Sequence, residues 1–246
     1  MLIIPAIDIK EGQCVRLLQG DFNRTTVFGN NPAEMAVRWR NGGARRIHVV
    51  DLDGARTGAP QNRRAIGEIV RAVDVPVQLG GGIRDAETVQ EYLDMGVSQV
   101  VLGTAALKNR DAVLEICARN PGSVILGIDA RNGKTAVEGW MEETGTTPAD
   151  IARSYENCGV YAIVYTDIGR DGMETGVNVE MTRKLAEAVS IPVIASGGVS
   201  GLHDLEALLP FEGSGIMGLI VGKALYSGAF DLEKALSIAS APPEDH

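Results

Sequence analysis

The sequence predicts an α/β fold, a (β/α)8 TIM barrel built from two homologous half-barrels. Eight short apolar runs rich in Val and Ile alternate with longer amphipathic stretches, as buried parallel strands alternate with crossover helices. The chain has 246 residues, which is a typical size for such a barrel. The two halves also resemble each other, and a doubly wound open sheet gives no reason for such a repeat. We therefore expect one barrel domain over 1–240 and a disordered tail over 241–246.

Short matches that recur at nearly constant separations define the repeat. The apolar run that ends in Asp8 has a counterpart that ends in Asp129. Three further matches pair Gly81-Gly82-Ile83 with Gly197-Gly198-Val199, Asp51-Leu52 with Asp167-Ile168, and Val101-Leu102-Gly103-Thr104-Ala105 with Ile220-Val221-Gly222-Lys223-Ala224. Because each half carries a carboxylate and a glycine cluster, the repeat concerns the chemistry as well as the fold.

Hydrophobic periodicity and capping residues place the elements along the chain. The expected strands are 2–8, 46–51, 75–79, 98–103, 123–129, 160–166, 191–196 and 216–222. Pro76 and Pro192 stand at strand starts, where a ladder donor is not yet required. The expected helices are 32–41, 85–95, 110–119, 148–157, 180–189 and 201–209. Asn31 and Asp85 are suitable N-caps for the first two of these helices, and glycines end both.

Composition limits the class of partner. The chain has 32 Asp and Glu against 23 Lys and Arg, a formal net charge of −9. Proteins that bind nucleic acid or anionic membranes usually present a basic face, so we expect neither partner. The apolar runs are also shorter than the ~20 residues of a membrane span. A small anionic ligand is compatible, because helix N-termini bind anions locally whatever the overall charge.

The cysteines indicate a reducing compartment. Cys14, Cys117 and Cys158 are odd in number and far apart, so neither a disulfide framework nor a zinc knuckle is indicated. The N-terminus enters a strand-like run directly, without the basic and apolar regions of a signal peptide. We therefore expect a cytoplasmic protein. Metal-binding and cofactor-binding motifs are not recognisable either, so we expect no metal and no cofactor.

The unusual residues of the predicted strands cluster at their C-terminal ends, where TIM barrels carry their chemistry. Asp8 ends the first strand and Asp129 ends the fifth. These strands are opposite each other in a ring of eight, so the two carboxylates face each other across the barrel mouth. A single Asp at a strand end is commonly an N-cap or solvated. Two that are related by the repeat favour a catalytic acid and base.

Two glycine clusters predict two anion sites. Gly81-Gly82 and Gly103-Thr104 follow the third and fourth strands, and Gly197-Gly198 and Gly222-Lys223 follow the seventh and eighth. Glycines let backbone N–H groups approach an anion, and helix N-termini add positive potential. The two sites lie opposite each other, so the expected ligand carries two phosphates. A lone glycine pair is most often only a turn, and it is the matched copies that favour phosphate.

Longer segments carry a resemblance that runs from Met1 to about Leu236. They are IPAIDIKEGQCVRLLQGDF (4–22), HVVDLDGARTG (48–58), QLGGGIRD (78–85), LGTAALKN (102–109), GIDARNG (127–133), YTDIGRDGMETGVN (165–178), ASGGVSGLHDL (195–205) and VGKALYSG (221–228). In these segments the chain resembles the phosphoribosylformimino aminoimidazole carboxamide ribotide isomerases of histidine biosynthesis. Arg56-Thr57 and Met173-Glu174 depart from the usual pattern, which bears on fine specificity.

This resemblance implies an Amadori-type rearrangement, without a cofactor, of an aminoaldose that carries two ribose phosphates. In the family scheme Asp129 is the general acid that opens the ribose ring to a Schiff base. Asp8 is the general base that removes the C2′ proton, and His48 and Thr166 match supporting positions. The expected substrate-binding residues are His48, Arg16, Gly81, Gly82, Arg84, Gly103, Thr104, Thr166, Asp167, Ser196, Gly197, Gly198, Gly222 and Lys223.

Three alternatives remain open at this point. The sister barrel, the cyclase subunit of imidazole glycerol phosphate synthase, shares the paired aspartates and the doubled phosphate sites. A dual-substrate isomerase would also accept phosphoribosyl anthranilate. A catalytically silent phosphate-binding barrel would gain nothing from Asp8 and Asp129 beside a dianionic ligand. We further expect a monomer, with lids over the substrate at 20–31 and 139–147.

Overall fold

The computed structural model describes residues 1–131, 133–137, 142–143 and 145–240. The expected tail over 241–246 lies outside the described residues, as do 138–141 and 144, which include part of the second expected lid. In chain order the strands are β1 (Leu2–Lys10), β2 (Gln13–Leu18), β3 (Asp21–Gly29), β4 (Ile47–Asp51), β5 (Val77–Gly80), β6 (Gln99–Leu102), β7 (Val124–Arg131), β8 (Lys134–Val137), β9 (Glu142–Glu143), β10 (Ala162–Asp167), β11 (Val193–Ser196) and β12 (Ile216–Val221).

A closed ring of parallel strands forms the centre of the protein. The ring runs through β1, β4, β5, β6, β7, β10, β11 and β12 and returns to β1. Each neighbouring pair in it is parallel. The predicted (β/α)8 TIM barrel is therefore confirmed, and every predicted strand overlaps one strand of the ring. Strands β1 and β7 lie on opposite sides of the ring.

Helices connect the strands of the ring on its outer side. They are α1 (Pro32–Asn41), α2 (Leu52–Thr57), α3 (Arg63–Ala72), α4 (Ala86–Met95), α5 (Thr104–Lys108), α6 (Arg110–Arg119), α7 (Pro148–Arg153), α8 (Val179–Ala188), α9 (Leu202–Leu208), α10 (Lys223–Ser227) and α11 (Leu232–Ser240), with a 3₁₀ helix at Leu209–Ser214. Asn31 and Asp85 cap α1 and α4 with their side chains, as expected. Helix α7 is shorter than the predicted 148–157, since the N–H groups of Tyr155 and Glu156 donate to carbonyls three residues back and Asn157 has φ 60°.

The segment 20–31, which we expected to be a lid loop, is mostly strand. Strand β2 pairs antiparallel with both β1 and β3, so β2 and β3 form a hairpin that extends from the first barrel strand. The side chains of β3 are exposed or partly exposed, and its apolar residues Phe22, Val27 and Phe28 do not alternate with polar ones, which explains why apolar periodicity does not reveal this strand. The hairpin matters for the site because it places Arg16 of β2 beside the barrel mouth.

Two apolar layers stabilise the barrel. The outer layer lies between the ring and the helices, and the inner layer fills the barrel. The buried members of the inner layer are Ile4, Ala6, Ile125, Ala162, Val164, Ile194 and Ile220. Burial of each large aliphatic side chain contributes ~1.5–3 kcal/mol. The inner layer closes the barrel below its C-terminal end and leaves that end for a cavity. In the part of the chain that the structure describes, none of the helices has the length and apolarity needed to cross a membrane.

Candidate active site

A cavity of about 300 Å³ opens at the C-terminal ends of the barrel strands. Its volume lies within the range of small-ligand sites. All predicted catalytic and binding residues except Asp167 line it: Asp8, Arg16, His48, Gly81, Gly82, Arg84, Gly103, Thr104, Asp129, Thr166, Ser196, Gly197, Gly198, Gly222 and Lys223. The cavity wall thus combines carboxylates, glycine turns and cationic side chains.

Asp8 forms an ion pair with Arg16. The Asp8 carboxylate accepts a hydrogen bond from Arg16 Nη1 at 2.8 Å. Arg16 Nη2 also donates to the Ala6 carbonyl, and the guanidinium carbon lies 5.0 Å from the centre of the Tyr226 ring. Burial raises the pKa of Asp8 above its usual value, and Arg16 opposes that shift. A poorly solvated carboxylate beside a cation that favours its ionised form is suited to accept a proton.

Asp129 lies on β7, across the ring from Asp8. Its neighbour at the same level of the barrel is Thr166 on β10, and Thr166 is in turn in register with Ser196 on β11. Adjacent strands lie ~4.8 Å apart, so these three oxygen-bearing side chains form one continuous wall of the cavity. The site therefore has a carboxylate on each side, with hydroxyl groups next to one of them.

Asp171 also lines the cavity, and sequence reasoning missed it. It lies in the loop after β10 and is partly buried. Burial and the nearby Asp8 and Asp129 carboxylates raise its pKa to about 7, although Arg16 opposes the shift. A carboxyl group with this pKa holds a proton for much of the time near neutral pH. The loop sequence does not mark Asp171, because the signal is its spatial proximity to two other carboxylates.

His48 is buried against the cavity. Its Nδ1 lies 2.9 Å from Nε2 of Gln78, on the neighbouring strand. Burial lowers the pKa of His48 to about 3, and the charge of Arg16 lowers it further in the same direction. The imidazole is therefore neutral near pH 7. A neutral imidazole contributes hydrogen bonds to a ligand and does not act as a counter-charge.

Gly81 and Gly197 form equivalent turns after β5 and β11. Their φ angles are 104° and 86°, in the left-handed region that favours glycine. A Cβ on Gly81 would lie 2.1 Å from the carbonyl oxygen of Asp51, and a Cβ on Gly197 would lie 2.7 Å from the carbonyl oxygen of Asp167. Both turns therefore require glycine for the same reason. The repeat in the sequence is also a repeat in backbone geometry.

Gly103 and Gly222 form a second equivalent pair, at the starts of α5 and α10. Their φ and ψ angles are −96° and −92° for Gly103, and −103° and −106° for Gly222. In neither case does a side chain of the described structure cap the helix. Backbone N–H groups at such turns bind anions. The structure thus places two turns of each half, after β5 and β6 and after β11 and β12, at one cavity.

Asp167 lies outside the cavity wall. Its carboxylate accepts hydrogen bonds from Asn178 Nδ2 at 2.6 Å and from the Gly169 N–H at 3.0 Å. Asp51, its counterpart in the repeat, accepts from Asn62 Nδ2 at 2.7 Å. Both aspartates therefore fix the loop that follows their strand. This geometry favours a structural role for Asp167 over the substrate contact expected from the sequence.

The cationic residues border the glycine turns. Arg84 follows the Gly81-Gly82 turn and is exposed at the rim. Lys223 Nζ donates to the Gly172 carbonyl at 3.1 Å and lies 3.3 Å from a Glu174 carboxylate oxygen. A phosphate at this side would compete with Glu174 for Lys223. Within the described ranges, three or more His, Cys, Asp or Glu side chains are nowhere grouped so that they could hold a metal ion.

Comparison with known proteins identifies the family. The model of a family described as "Histidine biosynthesis protein" matches residues 2–231. The chain belongs to this histidine biosynthesis protein family. The matched residues include the whole cavity wall, from Ala6 to Lys223.

Relatives in the histidine biosynthesis protein family match the chain over nearly its full length. A protein of Syntrophus aciditrophicus is 63% identical over 98% of this chain and 100% of its own. A protein of Pelobacter propionicus is 57% identical and one of Trichlorobacter lovleyi is 56% identical, each over 97% of both chains. All three are named 1-(5-phosphoribosyl)-5-((5-phosphoribosylamino)methylideneamino)imidazole-4-carboxamide isomerase.

Proposed function

We propose that this protein is the isomerase that catalyses the Amadori rearrangement of N′-(5′-phosphoribosyl)formimino-5-aminoimidazole-4-carboxamide ribonucleotide to its phosphoribulosyl aminoketose in histidine biosynthesis. One observation carries the proposal: Asp8 and Asp129 lie on opposite sides of a cavity that also has a glycine-turn pair in each half of the barrel. A reaction made of proton transfers on a ligand with two phosphates needs these parts. The relatives are named as isomerases of a compound with two phosphoribosyl groups, which supports the proposal.

Ring opening requires a proton donor on the side of the cavity opposite Asp8. Asp129 protonates the ribose ring oxygen, the bond from that oxygen to C1′ breaks, and a Schiff base forms at C1′. Asp171 supports this step, because its pKa of about 7 lets it hold a proton beside Asp8 and Asp129 at neutral pH. A positioned acid of this kind contributes ~10²–10⁴-fold in rate.

The second step requires a base. The Asp8 carboxylate removes the proton from C2′, and the electron pair of the C–H bond forms the C1′–C2′ double bond of an enaminol while the Schiff-base nitrogen becomes an amine. Proton transfer from the C2′ hydroxyl to C1′ then gives the ketose. Arg16 at 2.8 Å favours the ionised form of Asp8 before the transfer. Burial makes the carboxylate a stronger base than one in water.

Substrate binding uses the two halves of the repeat at once. One phosphate binds at Gly81, Gly82, Gly103 and Thr104, and the other binds at Gly197, Gly198, Gly222 and Lys223. Arg84, His48, Thr166 and Ser196 complete the contacts to the ligand. This arrangement holds the ends of a long bis-phosphate so that its reacting ribose lies between the aspartates. Soaking crystals in inorganic phosphate tests it: we expect two ions, and density at only one glycine pair contradicts the doubled site.

A substrate panel tests the function itself. The purified protein is assayed with the histidine-pathway aminoaldose and, in parallel, with phosphoribosyl anthranilate. Turnover of the aminoaldose supports the proposal, and turnover of both compounds identifies the dual-substrate alternative. A protein that turns over neither compound contradicts the proposal. The name shared by the relatives favours the isomerase over the cyclase subunit.

We also propose that the protein is a monomeric, cytoplasmic enzyme with one domain over 1–240. In support, the ring of strands closes within one chain, and the residues that line the described cavity wall all come from that chain. Cys14, Cys117 and Cys158 are thiols, which fits a reducing compartment. Light scattering coupled to gel filtration tests the assembly: a mass near 26.1 kDa is expected, and twice that mass contradicts the monomer.

A further inference from the structure

A network of buried polar side chains crosses the barrel interior below the active site. Arg46 immediately precedes β4, His48 is on β4, Gln78 is on β5, and Gln99 is on β6. The register places His48 beside Gln78 and Gln78 beside Gln99. Arg46, His48 and Gln78 are 7%, 8% and 0% exposed. Aliphatic side chains fill the rest of the barrel interior. Because buried polar groups cost free energy unless they are hydrogen-bonded, a polar network at this position indicates a specific role.

Arg46 fixes the direction of the hydrogen bonds in this network. Its Nη1 donates to Gln99 Oε1 at 2.6 Å and lies 3.4 Å from Gln78 Oε1, and its Nη2 donates to the Tyr161 hydroxyl at 2.9 Å. A guanidinium has N–H donors and no acceptor. Gln78 must therefore direct its amide oxygen toward Arg46, because the opposite orientation would bring two donors together.

Gln78 passes this direction on to His48. With its oxygen toward Arg46, the amide presents its N–H to His48 Nδ1 at 2.9 Å. Nδ1 must then accept, so the single ring proton of the neutral imidazole is on Nε2. His48 Nε2 is on the other side of the ring from Nδ1, and the His48 side chain lines the cavity. Among the described residues, the hydrogen bond of the His48 ring is the one at Nδ1.

We infer that Gln78 is a positioning residue that fixes His48 as the Nε2–H tautomer, so that His48 offers the cavity a hydrogen-bond donor and no acceptor. The ligand oxygen that receives this bond belongs to the phosphorylated substrate, and this part of the inference rests on the proposed function. A neutral donor also adds no positive charge beside Arg16. Asp8 therefore keeps the raised pKa that suits a base.

The tautomer can be read directly by NMR. The chain has three histidines, so His203→Asn with His246→Asn leaves His48 as the one imidazole. Long-range ¹⁵N–¹H correlation at pH 7 is expected to show a protonated Nε2 and an unprotonated Nδ1. A spectrum with Nδ1 protonated, or with the two nitrogens averaged, overturns the inference. This measurement needs neither substrate nor activity.

Two isosteric variants test the role of Gln78. In Gln78→Glu the carboxylate can only accept, so we expect protonation of His48 Nδ1. Gln99→Glu is the matched control, because it adds the same carboxylate beside Arg46 without contact to His48, and we expect the tautomer to stay unchanged. An unchanged His48 spectrum in Gln78→Glu, or the same change in both variants, overturns the inference.

Kinetics separate this inference from the proposed function. Loss of a correctly oriented donor to the substrate is expected to raise KM for the aminoaldose about 10-fold in Gln78→Glu, with a smaller change in kcat. An unchanged KM contradicts a donor role toward the ligand. If the spectra are as expected but the wild-type protein does not turn over the aminoaldose, the proposed function is wrong and the positioning role of Gln78 stands.

Discussion

Arg16 Nη1 lies 2.8 Å from the carboxylate of Asp8, with Arg16 on the hairpin and Asp8 on the first barrel strand. The antiparallel register of β1 with β2 brings the two side chains together, since Asp8 is paired with Val15. The hairpin therefore contributes a charge to the reaction centre that the eight-stranded ring does not supply. Burial raises the pKa of Asp8, and the charge and hydrogen bond of Arg16 limit that increase.

Removal of Arg16 should move the pH dependence of the reaction. In Arg16→Met the pKa of Asp8 rises further, because the opposing charge is lost and burial remains. We expect the acidic limb of the kcat/KM profile to shift upward by about one unit or more, with a roughly 10–100-fold loss at pH 7. Arg16→Lys keeps the charge and should shift the limb less. If the acidic limb of the Arg16→Met profile lies at the same pH as in wild type, Arg16 does not control the pKa of Asp8.

Asp171→Asn should increase stability at alkaline pH. The pKa of Asp171 is raised from 3.8 to about 7 in the folded protein. The folded state therefore binds the proton more tightly than the unfolded state, so stability falls as pH rises from about 4 to about 7 and stays lower above it. At pH 8 the variant should be more stable by on the order of 2 kcal/mol, allowing for partial exposure, and the difference should vanish near pH 4.

The same variant should lose activity. Without a protonated carboxyl at this position, we expect kcat to fall by ~10²-fold and the alkaline limb near pH 7 to disappear. Urea unfolding at pH 4 and pH 8 and a kcat profile measure both effects, with the exposed Asp111→Asn as control. If the difference in free energy of unfolding between Asp171→Asn and wild type is no larger at pH 8 than at pH 4, the pKa of Asp171 is not raised.

The turn glycines should be intolerant of any side chain. A Cβ on Gly81 would lie 2.1 Å from the Asp51 carbonyl oxygen at φ 104°, so backbone would have to move. We expect Gly81→Ala to lower the free energy of unfolding by about 3 kcal/mol or more, and Gly197→Ala to do so somewhat less. Gly213→Ala is the control, since a Cβ there meets nothing within 4 Å. Thermal unfolding measures all three, and equal melting temperatures refute the steric argument.

Asp167→Asn distinguishes loop support from substrate binding. The Asp167 carboxylate accepts from Asn178 and Gly169 and is not part of the cavity wall. We expect a loss of about 1–3 kcal/mol in stability, because a charged acceptor is removed from two hydrogen bonds. KM for the aminoaldose should change by less than about 3-fold, which is ~0.6 kcal/mol. A large rise in KM at unchanged stability would restore the substrate-binding role that the sequence suggested.

The barrel was largely predictable because buried parallel strands are apolar runs, and each of the eight predicted strands is present. The hairpin strand Asp21–Gly29 was not, because its side chains are exposed or partly exposed and its few apolar residues do not alternate with polar ones. Helix Arg63–Ala72 was also missed, although Asn62 precedes it and its buried Ile66 and Ile69 have helical spacing; Gly67 within it lowers the helix propensity. Local patterns predict elements whose own residues carry the signal.

Most of the candidate site was predictable for a different reason. The strand ends of a closed barrel meet at one place, so naming Asp8 and Asp129 from strand number sufficed to put both at one cavity. Asp171 and Gln78 were not foreseen, because their roles depend on neighbours: other carboxylates in one case, and Arg46 and His48 in the other. The place of Asp167 at a strand end predicted a substrate contact and did not reveal its hydrogen bond from Asn178.

The central claim is that Asp8 and Asp129 are the base and the acid of an aminoaldose isomerisation. The most direct measurement is kcat for this substrate in Asp8→Asn and Asp129→Asn, together with the affinity of each variant for the substrate. We predict a loss of ~10²–10⁴-fold or more in kcat for each, with affinity retained, while the exposed Asp94→Asn matches wild type. Turnover near the wild-type rate in either active-site variant would contradict the account.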